Sequence, residues 1–219
     1  LARGRPGGAT RARANGAKSV VADDKVAFIA TGNFGGHSIS TLRDFNARIE
    51  EAADVKTLAS VFDADWTKQT PNLSCTRLLF SPDNARQRVI NLIKSAKKTL
   101  LIESMQFQDA QVRAEVVRRK NAGVDVRFIG ASSGWIDANT EAAQFLATNN
   151  IPAKWISGCH AKAIVVDGAT AYIGSENLSW TSLDKNREAG LVLTQAGDPV
   201  AVKFMNDTLE ADWLKGKAY

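Results

Sequence analysis

An internal repeat constrains this chain more than any other feature of its sequence. The segment HAKAIVVDGATAYIGSEN at 160–177 aligns without a gap on GAKSVVADDKVAFIATGN at 16–33. Each copy then runs into an expected helix that ends in Ala-Asp-Trp, at Trp66 and at Trp213. Polar positions that match at one fixed offset are the signature of repeated structural units. The sequence therefore predicts two related half-units.

Strand-like and helix-like segments alternate after the first copy. Apolar runs at 76–81, 99–105 and 125–131 predict strands, and amphipathic runs at 84–97 and 109–123 predict helices between them. Further strands are predicted at 153–157, 161–168, 171–177 and 188–195, and further helices at 137–150 and 198–213. This alternation is typical of an α/β fold in which helices cover a sheet, here with an antiparallel strand pair near the end.

The two half-units are expected to differ in length. Residues 1–15, rich in Gly, Ala and Arg, are predicted to be a flexible basic arm. Residues 16–66 are predicted to be a partial first half-unit, and the polar stretch 67–75 a linker. Residues 76–219 are predicted to be a complete second half-unit. The first half-unit is therefore expected to lack most of its sheet.

The formal charge of +5 is weak evidence for a nucleic-acid partner. Five of the 28 basic residues lie in the first 18 positions, so residues 19–219 carry 23 basic and 23 acidic side chains. A local basic groove remains compatible with a neutral body. Cys75 and Cys159 make no disulfide framework. No apolar run approaches the roughly 18 residues of a membrane-spanning helix, and the N-terminus lacks the apolar core of a secretory signal. The compartment stays open.

The second copy carries residue types that suit a phosphate. It reads His-x-Lys-x4-Asp at 160–167, Gly-Ser-x-Asn at 174–177 and Asn-Arg-Glu at 186–188. Positions i and i+2 of a strand face the same side, so His160 and Lys162 are expected to project together. An ammonium with hydroxyl and amide donors can bind non-bridging oxygens. The imidazole could attack phosphorus or donate a proton, and a carboxylate could fix its tautomer.

The string HAKAIVVDGATAYIGSENLSWTSLDKNREAGLVL resembles the signature of the phospholipase D superfamily through its whole length, and the resemblance covers residues 16 to about 213. Members of that family pair two such motifs across a pseudo-twofold axis. One histidine forms a phosphohistidine intermediate, and the other protonates the leaving group and activates water. The resemblance implies a layered α-β-α fold of two pseudo-symmetric halves, the N-terminal one incomplete. It also implies a phosphodiester hydrolase or transferase without a metal or other cofactor.

Roles for individual residues follow from this resemblance. It implies that His160 is the nucleophile or the acid and base, that Lys162 and Asn177 bind phosphate, and that Glu188 orients a histidine. Ser175 would support the phosphate binders. Asp167, the last residue of the catalytic motif, lies at the far end of its strand and is expected to be a structural brace. The corresponding first-copy residues are Lys18, Thr31 and Asn33 for phosphate binding, with Asp23 and Asp44 as further candidates.

The first copy departs from the family pattern at Gly16, where a histidine is expected. Three interpretations are open: a part or altered form of a longer two-motif enzyme, a degenerate copy that no longer turns over, or a site completed by a second chain. His37 is the only other histidine, in a predicted loop with Gly35 and Gly36. It is either a substitute proton carrier or an ordinary exposed loop residue.

Three functions compete at this point. The first is an enzyme that acts on phospholipids by hydrolysis or head-group exchange, with peripheral membrane contact. The second is a nuclease with the same chemistry, for which the neutral body makes nucleic acid the weaker partner. The third is a catalytically silent remnant that binds phosphate or lipid, which Gly16 favours.

Overall fold

The computed structural model of the protein describes residues 15–219, which contain eleven strands and seven helices. In chain order these elements are β1 (Ser19–Ala22), β2 (Val26–Ala30), α1 (Gly36–Thr41), β3 (Asn46–Ile49), α2 (Ala52–Trp66), β4 (Leu78–Ser81), α3 (Ala85–Lys94), β5 (Thr99–Ser104), α4 (Ala110–Asn121), β6 (Asp125–Gly130), α5 (Asn139–Thr148), β7 (Ala153–Trp155), β8 (Lys162–Val166), β9 (Thr170–Gly174), α6 (Trp180–Asp184), β10 (Glu188–Thr194), α7 (Pro199–Lys215) and β11 (Lys217–Ala218).

Eight strands form one mixed sheet in the order β11-β7-β6-β5-β8-β9-β10-β4. The β5, β6 and β7 strands run parallel, and α4 and α5 make the connections between them. The remaining neighbours are antiparallel. Every residue of β4 and β8 is buried, which explains why their sequences show no alternation of apolar and polar side chains. The predicted α/β fold is confirmed.

Apolar side chains pack on both faces of this sheet. On one face, Val89 of α3 and Val112 of α4 share a core with Ile102 of β5. On the other face, α7, α2 and a second, smaller sheet share one core with the large sheet, and this core contains Ile29 of β2 and Leu209 of α7. The second of these cores contains residues from both sequence copies, so the two copies pack against each other.

The smaller sheet has three antiparallel strands in the order β1-β2-β3. These strands occupy the same relative positions as β8, β9 and β10, whose residues are numbered 144 higher. In the large sheet β8 pairs further with β5, and β10 pairs further with β4. Within residues 15–219 no strand takes the corresponding places beside β1 and β3.

One edge of the large sheet gathers the segments that carry the second motif. Because β8 is antiparallel to β5, Lys162 at the start of β8 pairs with Ser104 at the end of β5. The β9 strand reverses direction again and ends at Gly174 on this same edge. Ser175 and Asn177 follow directly, so the fold brings them to the edge where His160 enters the sheet.

One local prediction is wrong. In the GGHSIS segment only Gly35 precedes the short helix α1, which the sequence analysis expected to be a loop, and Ser40 Oγ donates back to the Gly36 carbonyl oxygen at 2.7 Å. Asn15, predicted to belong to the arm, forms an isolated parallel bridge with Arg187. The rest of the predicted arm, residues 1–14, lies outside the described residues. No helix in the described part of the chain is long and apolar enough to cross a membrane.

Candidate active site

His160 stands immediately before β8 and is almost buried, with 8% of its surface exposed. Its backbone N–H donates to the Arg43 carbonyl oxygen at 3.1 Å. Its Nδ1 lies 2.9 Å from Asp44 Oδ1. A carboxylate at this distance favours the tautomer with the proton on Nδ1, which leaves the lone pair on Nε2 for chemistry.

Lys162 is the other buried base at this edge, with 1% of its surface exposed. Its Nζ donates to the Thr31 carbonyl oxygen at 3.1 Å and to the carbonyl oxygen of His160, and it lies 3.4 Å from His160 Nε2. Burial lowers the pKa of Lys162 to about 7, although the Asp44 carboxylate acts in the opposite direction. A bound phosphate anion would favour the ammonium form.

A cradle of hydroxyl groups holds the Asp44 carboxylate. Thr31 Oγ1 donates to Asp44 Oδ1 at 2.6 Å, and Ser38 Oγ donates to Oδ2 at 3.0 Å. Burial alone would raise the pKa of Asp44, but the hydrogen bonds from His160, Thr31 and Ser38 hold it below its usual range. Asp44 is therefore an ionised acceptor that fixes the imidazole ring.

A second cradle of the same design holds Glu188. Ser175 Oγ donates to Glu188 Oε2 at 2.6 Å, Ser182 Oγ to Oε1 at 3.2 Å, and Asn186 Nδ2 to Oε1 at 3.3 Å. Lys18 Nζ lies 4.0 Å from Oε2. Ser175 and Ser182 are numbered 144 above Thr31 and Ser38, so each cradle takes its two hydroxyl groups from equivalent positions.

The backbone around Gly16 is arranged like that around His160. The Gly16 N–H donates to the Arg187 carbonyl oxygen at 2.8 Å, as the His160 N–H does to that of Arg43. Lys18 Nζ donates to the Gly16 carbonyl oxygen at 2.7 Å, as Lys162 does to that of His160. Gly16 therefore has the same backbone contacts in the first copy as His160 has in the second, without an imidazole.

Two arginines tie the cradles to the long helices. Arg43 Nε donates to Asp212 of α7 at 2.7 Å, and an Arg187 guanidinium nitrogen donates to Asp65 of α2 at 2.7 Å. Arg187 also bonds Asp83 and the Ser81 carbonyl oxygen. Because each arginine precedes a cradle carboxylate in sequence, these ion pairs fix the backbone from which Asp44 and Glu188 project.

The structure does not bring every predicted site residue to this edge. Asp167 lies at the opposite end of β8, where its carboxylate accepts the backbone N–H groups of residues 97–99 at 2.7–3.2 Å. Asp23 lies in the corresponding turn between β1 and β2. His37 and Asn33 are exposed, and His37 Nδ1 lies 3.1 Å from Thr41 Oγ1.

Asn177 is half-buried at the site edge, and its backbone N–H donates to Ser182 Oγ at 3.0 Å. Its side-chain Oδ1 is buried without a hydrogen-bond partner among the described residues. A buried polar atom left unpaired is costly, so this amide is a candidate for contact with a ligand or water.

The sequence analysis missed two buried acids and the cradle serines Ser38 and Ser182. Glu176 is fully buried and accepts from Tyr172 Oη at 2.6 Å, and burial raises the pKa of Glu176 to about 8. Burial likewise raises the pKa of Glu103 to about 8. The signal for Glu103 is a lone acid in the apolar run TLLIES. Ser38 and Ser182 could have been found from their equivalent places in the repeat.

Comparison with known families and proteins places this geometry in context. Residues 89–213 match the family described as "Cardiolipin synthase, PLD-like domain", where PLD stands for phospholipase D. That segment covers more than half of the chain. The protein therefore belongs to the phospholipase D superfamily.

Two curated relatives carry phospholipase D names. The chain is 30% identical over 93 residues to phospholipase D Y of Dictyostelium discoideum, which covers 39% of this chain. It is 26% identical over 147 residues to a probable phospholipase D of Caenorhabditis elegans, which covers 58% of this chain. The matched regions span only 21% and 26% of those proteins.

Solved structures support the same fold. Nuc from Salmonella typhimurium, titled a phospholipase D family member, is 27% identical with a TM-score of 0.59, and the match covers 65% of this chain and 95% of Nuc. Phosphatidylserine synthase of Haemophilus influenzae matches at a TM-score of 0.70 with 12% identity, over 94% of this chain and 62% of that one. Polyphosphate kinase of Porphyromonas gingivalis matches at a TM-score of 0.70 with 17% identity, and this match covers 91% of this chain and 33% of that one. These last two show a shared fold alone.

Proposed function

We propose that this protein is a phosphodiesterase of the phospholipase D type that acts on phospholipids through a phosphohistidine at His160. The observation that carries the proposal is the buried His160 ring, fixed by Asp44 at 2.9 Å beside the Lys162 ammonium. A carboxylate on Nδ1 raises the nucleophilicity of Nε2, and the neighbouring cation compensates charge on a phosphoryl group.

In the proposed first step, His160 Nε2 attacks phosphorus and the bond to the leaving alcohol breaks. Lys162 and Lys18 would bind the non-bridging oxygens, with the unpaired amide of Asn177 as a further contact. Asp44 stabilises the imidazolium that forms as the ring bonds to phosphorus. Hydrolysis or transfer to a second alcohol then depends on which acceptor enters.

Two observations support a phospholipid as the substrate. Both curated relatives carry phospholipase D names. In addition, Phe34, Ile39 and Trp180 are exposed, and they follow β2 and β9, the strands that lead into the site. Exposed apolar and aromatic side chains near a site suit the edge of a lipid layer, which would supply the peripheral membrane contact.

A nuclease is the second candidate, and the match to Nuc over 95% of that protein favours it. Nucleic-acid binding depends strongly on phosphate contacts and therefore on salt. The balanced charge of residues 19–219 makes this substrate the weaker proposal.

The proposed site also depends on the first sequence copy, since Asp44 and Thr31 contact the second-copy residues His160 and Lys162. We propose that the copies are two halves of one site. Further strands beside β1 and β3, from additional sequence or from a second chain, would extend the first half as β5 and β4 extend the second.

The test incubates the chain with fluorescent phosphatidylcholine or phosphatidylglycerol vesicles and, separately, with single-stranded DNA, each with and without EDTA. Lipid turnover that persists in EDTA and is abolished in His160→Ala supports the proposal. The matched control is His37→Ala, because His37 is exposed on α1 and is expected to leave turnover unchanged. Cleavage of DNA alone would establish the nuclease, and no turnover of either substrate would contradict both candidates and favour a binding remnant.

A further inference from the structure

The Glu188 carboxylate occupies the space that a side chain at position 16 would need. A Cβ atom placed on Gly16 would lie 2.2 Å from Glu188 Oε1 and 2.6 Å from Oε2. At the equivalent place in the other half, the His160 imidazole fills this space and Asp44 lies behind it. The shorter aspartate orients a ring, whereas the longer glutamate reaches the vacant position itself.

We propose that Glu188 is the proton carrier of this site, acting as acid and then as base opposite His160. This inference rests on the proposed function, because it assumes that His160 is the nucleophile. A positioned carboxyl group within reach of the reacting oxygen can carry out both proton transfers.

The proposed cycle balances without a co-reactant. In the first step His160 Nε2 bonds to phosphorus, the phosphorus–oxygen bond to the alcohol breaks, and the departing oxygen takes the proton of the Glu188 carboxyl. In the second step a water oxygen bonds to phosphorus and gives its proton to Glu188. The phosphorus–nitrogen bond breaks, and its electron pair returns to His160 Nε2. Glu188 ends protonated, as it began.

Charged groups of both signs surround Glu188. Besides the three donors of its cradle, Lys18, which directly precedes β1, lies with its Nζ 4.0 Å from Glu188 Oε2. Lys162 of β8 and the buried Glu176 also interact with Glu188 electrostatically. The two lysines assigned above to phosphate binding are therefore neighbours of the proposed proton carrier.

Other proton carriers in the described residues are less well placed. Lys162 Nζ donates two protons to the carbonyl oxygens of Thr31 and His160, and its third proton is the one proposed above to bind a phosphate oxygen. His37 lies exposed on α1 with its Nδ1 beside Thr41. Glu188 is the group whose position coincides with that of the missing side chain.

The test uses bis(p-nitrophenyl) phosphate, because p-nitrophenolate leaves without a proton and the first step then no longer needs an acid. In a stopped-flow assay the unchanged chain should release one p-nitrophenolate per site in a burst before slower steady turnover. Glu188→Gln should keep the burst rate within about threefold while steady turnover falls by about 10²- to 10³-fold. His160 that carries a p-nitrophenyl phosphoryl group should accumulate, detectable by mass spectrometry at neutral or alkaline pH.

Matched variants separate catalysis from folding. Glu115→Gln removes a carboxyl group on α4 that is as buried as Glu188, each being 3% exposed, and that the proposed site does not use, so it should leave both phases unchanged. Glu188→Asp keeps the carboxylate one methylene further back and should retain more turnover than Glu188→Gln, with circular dichroism spectra that match the unchanged chain. This Asp variant also decides the matter if the Gln variant does not fold.

The outcomes for the two proposals are distinguishable. A burst followed by steady turnover that Glu188→Gln lowers by less than threefold would overturn the role of Glu188 and leave the phosphohistidine in place. If the Gln variant does not fold, unchanged turnover in Glu188→Asp would overturn that role. If the unchanged chain turned over without a burst and no His160 adduct accumulated in Glu188→Gln, both proposals would be overturned, because there would be no covalent intermediate for Glu188 to resolve.

Discussion

The two carboxylate cradles of this molecule differ most in whether the carboxylate contacts a histidine. Asp44 and Glu188 each accept hydrogen bonds from two hydroxyl groups at equivalent positions, but only Asp44 has an imidazole in contact. The backbone hydrogen bond that would position a histidine is present on both sides, at Gly16 and at His160. The comparison teaches that the hydrogen bonds of a cradle form whether or not a histidine contacts its carboxylate.

The reason lies in what holds each cradle together. Hydroxyl–carboxylate hydrogen bonds, an arginine–aspartate pair to a long helix and a backbone bridge are all independent of the imidazole. In the proposed mechanism the half-site at Asp44 supplies the nucleophile, whereas the role of the half-site at Glu188 depends on which residue occupies position 16. The experiments below test that asymmetry.

The largest expected effect is on the Asp44 side. Asp44→Asn keeps the size of the side chain but removes the charge that fixes the His160 tautomer and stabilises the imidazolium. Removing such a carboxylate in other imidazole-based sites costs about 10³- to 10⁴-fold, and we expect the p-nitrophenolate burst rate to fall by about 10³-fold. Stopped-flow absorbance measures it. A burst rate within tenfold of the unchanged chain would show that Asp44 is not the orienting group.

The next effect concerns the arginines behind the cradles. Arg187 is 7% exposed in its side chain and pairs with Asp65 and Asp83, whereas the Arg43 side chain is 34% exposed. Arg187→Met removes a buried guanidinium whose partners Asp65 and Asp83 are 35% and 22% exposed in their side chains, and it should lower the free energy of unfolding by about 2 kcal/mol. Arg43→Met leaves the Asp212 carboxylate, which is only 6% exposed, without this guanidinium and should cost about 3 kcal/mol. Urea denaturation checks this order, and equal losses would contradict the effect of the difference in burial between the partner carboxylates.

Part of this arrangement could be predicted from the sequence. The alternation of segments predicts the large sheet, and the repeat aligns Thr31 with Ser175 and Asp44 with Glu188 before any coordinates. The sequence could not predict that the carboxylate of one copy contacts the histidine of the other, because only the fold shows Asp44 of the first copy beside His160 of the second. Local periodicity also cannot tell a six-residue helix such as α1 from a glycine-containing loop.

A smaller effect compares the cradle serines directly. Ser38→Ala removes one donor to Asp44, and Ser182→Ala removes one donor to Glu188. Each lost hydrogen bond should cost about 1 kcal/mol, or roughly fivefold in the rate it supports. Ser38→Ala should slow the burst, whereas Ser182→Ala should slow steady turnover. If both variants slowed the same phase, the two cradles would serve one step rather than two.

The smallest effect is on stability, at the ends of β1 and β8 that lie away from the candidate site. Asp167 accepts three backbone N–H groups from residues 97–99, which lead into β5, and no described strand supplies such donors to Asp23. Burial raises the pKa of Asp167, but the backbone donors outweigh burial and hold the pKa below its usual range. Asp167→Asn should therefore cost about 0.5–1 kcal/mol at pH 7, and Asp23→Asn close to nothing.

The effect of Asp167→Asn on stability should depend on pH, and the lowered pKa of Asp167 fixes the direction of this dependence. A carboxyl group whose pKa is depressed by folding stabilises the protein fully above its unfolded pKa of about 3.9, and this contribution is lost as the pH falls through the folded value. The cost of Asp167→Asn should consequently shrink between pH 5 and acid pH, as measured by urea denaturation across that range. Asparagine tolerates the positive φ of 54° at this position, so backbone strain does not obscure the result. A cost that stayed constant with pH would assign the effect to the shape of the turn rather than to the charge that braces it against β5.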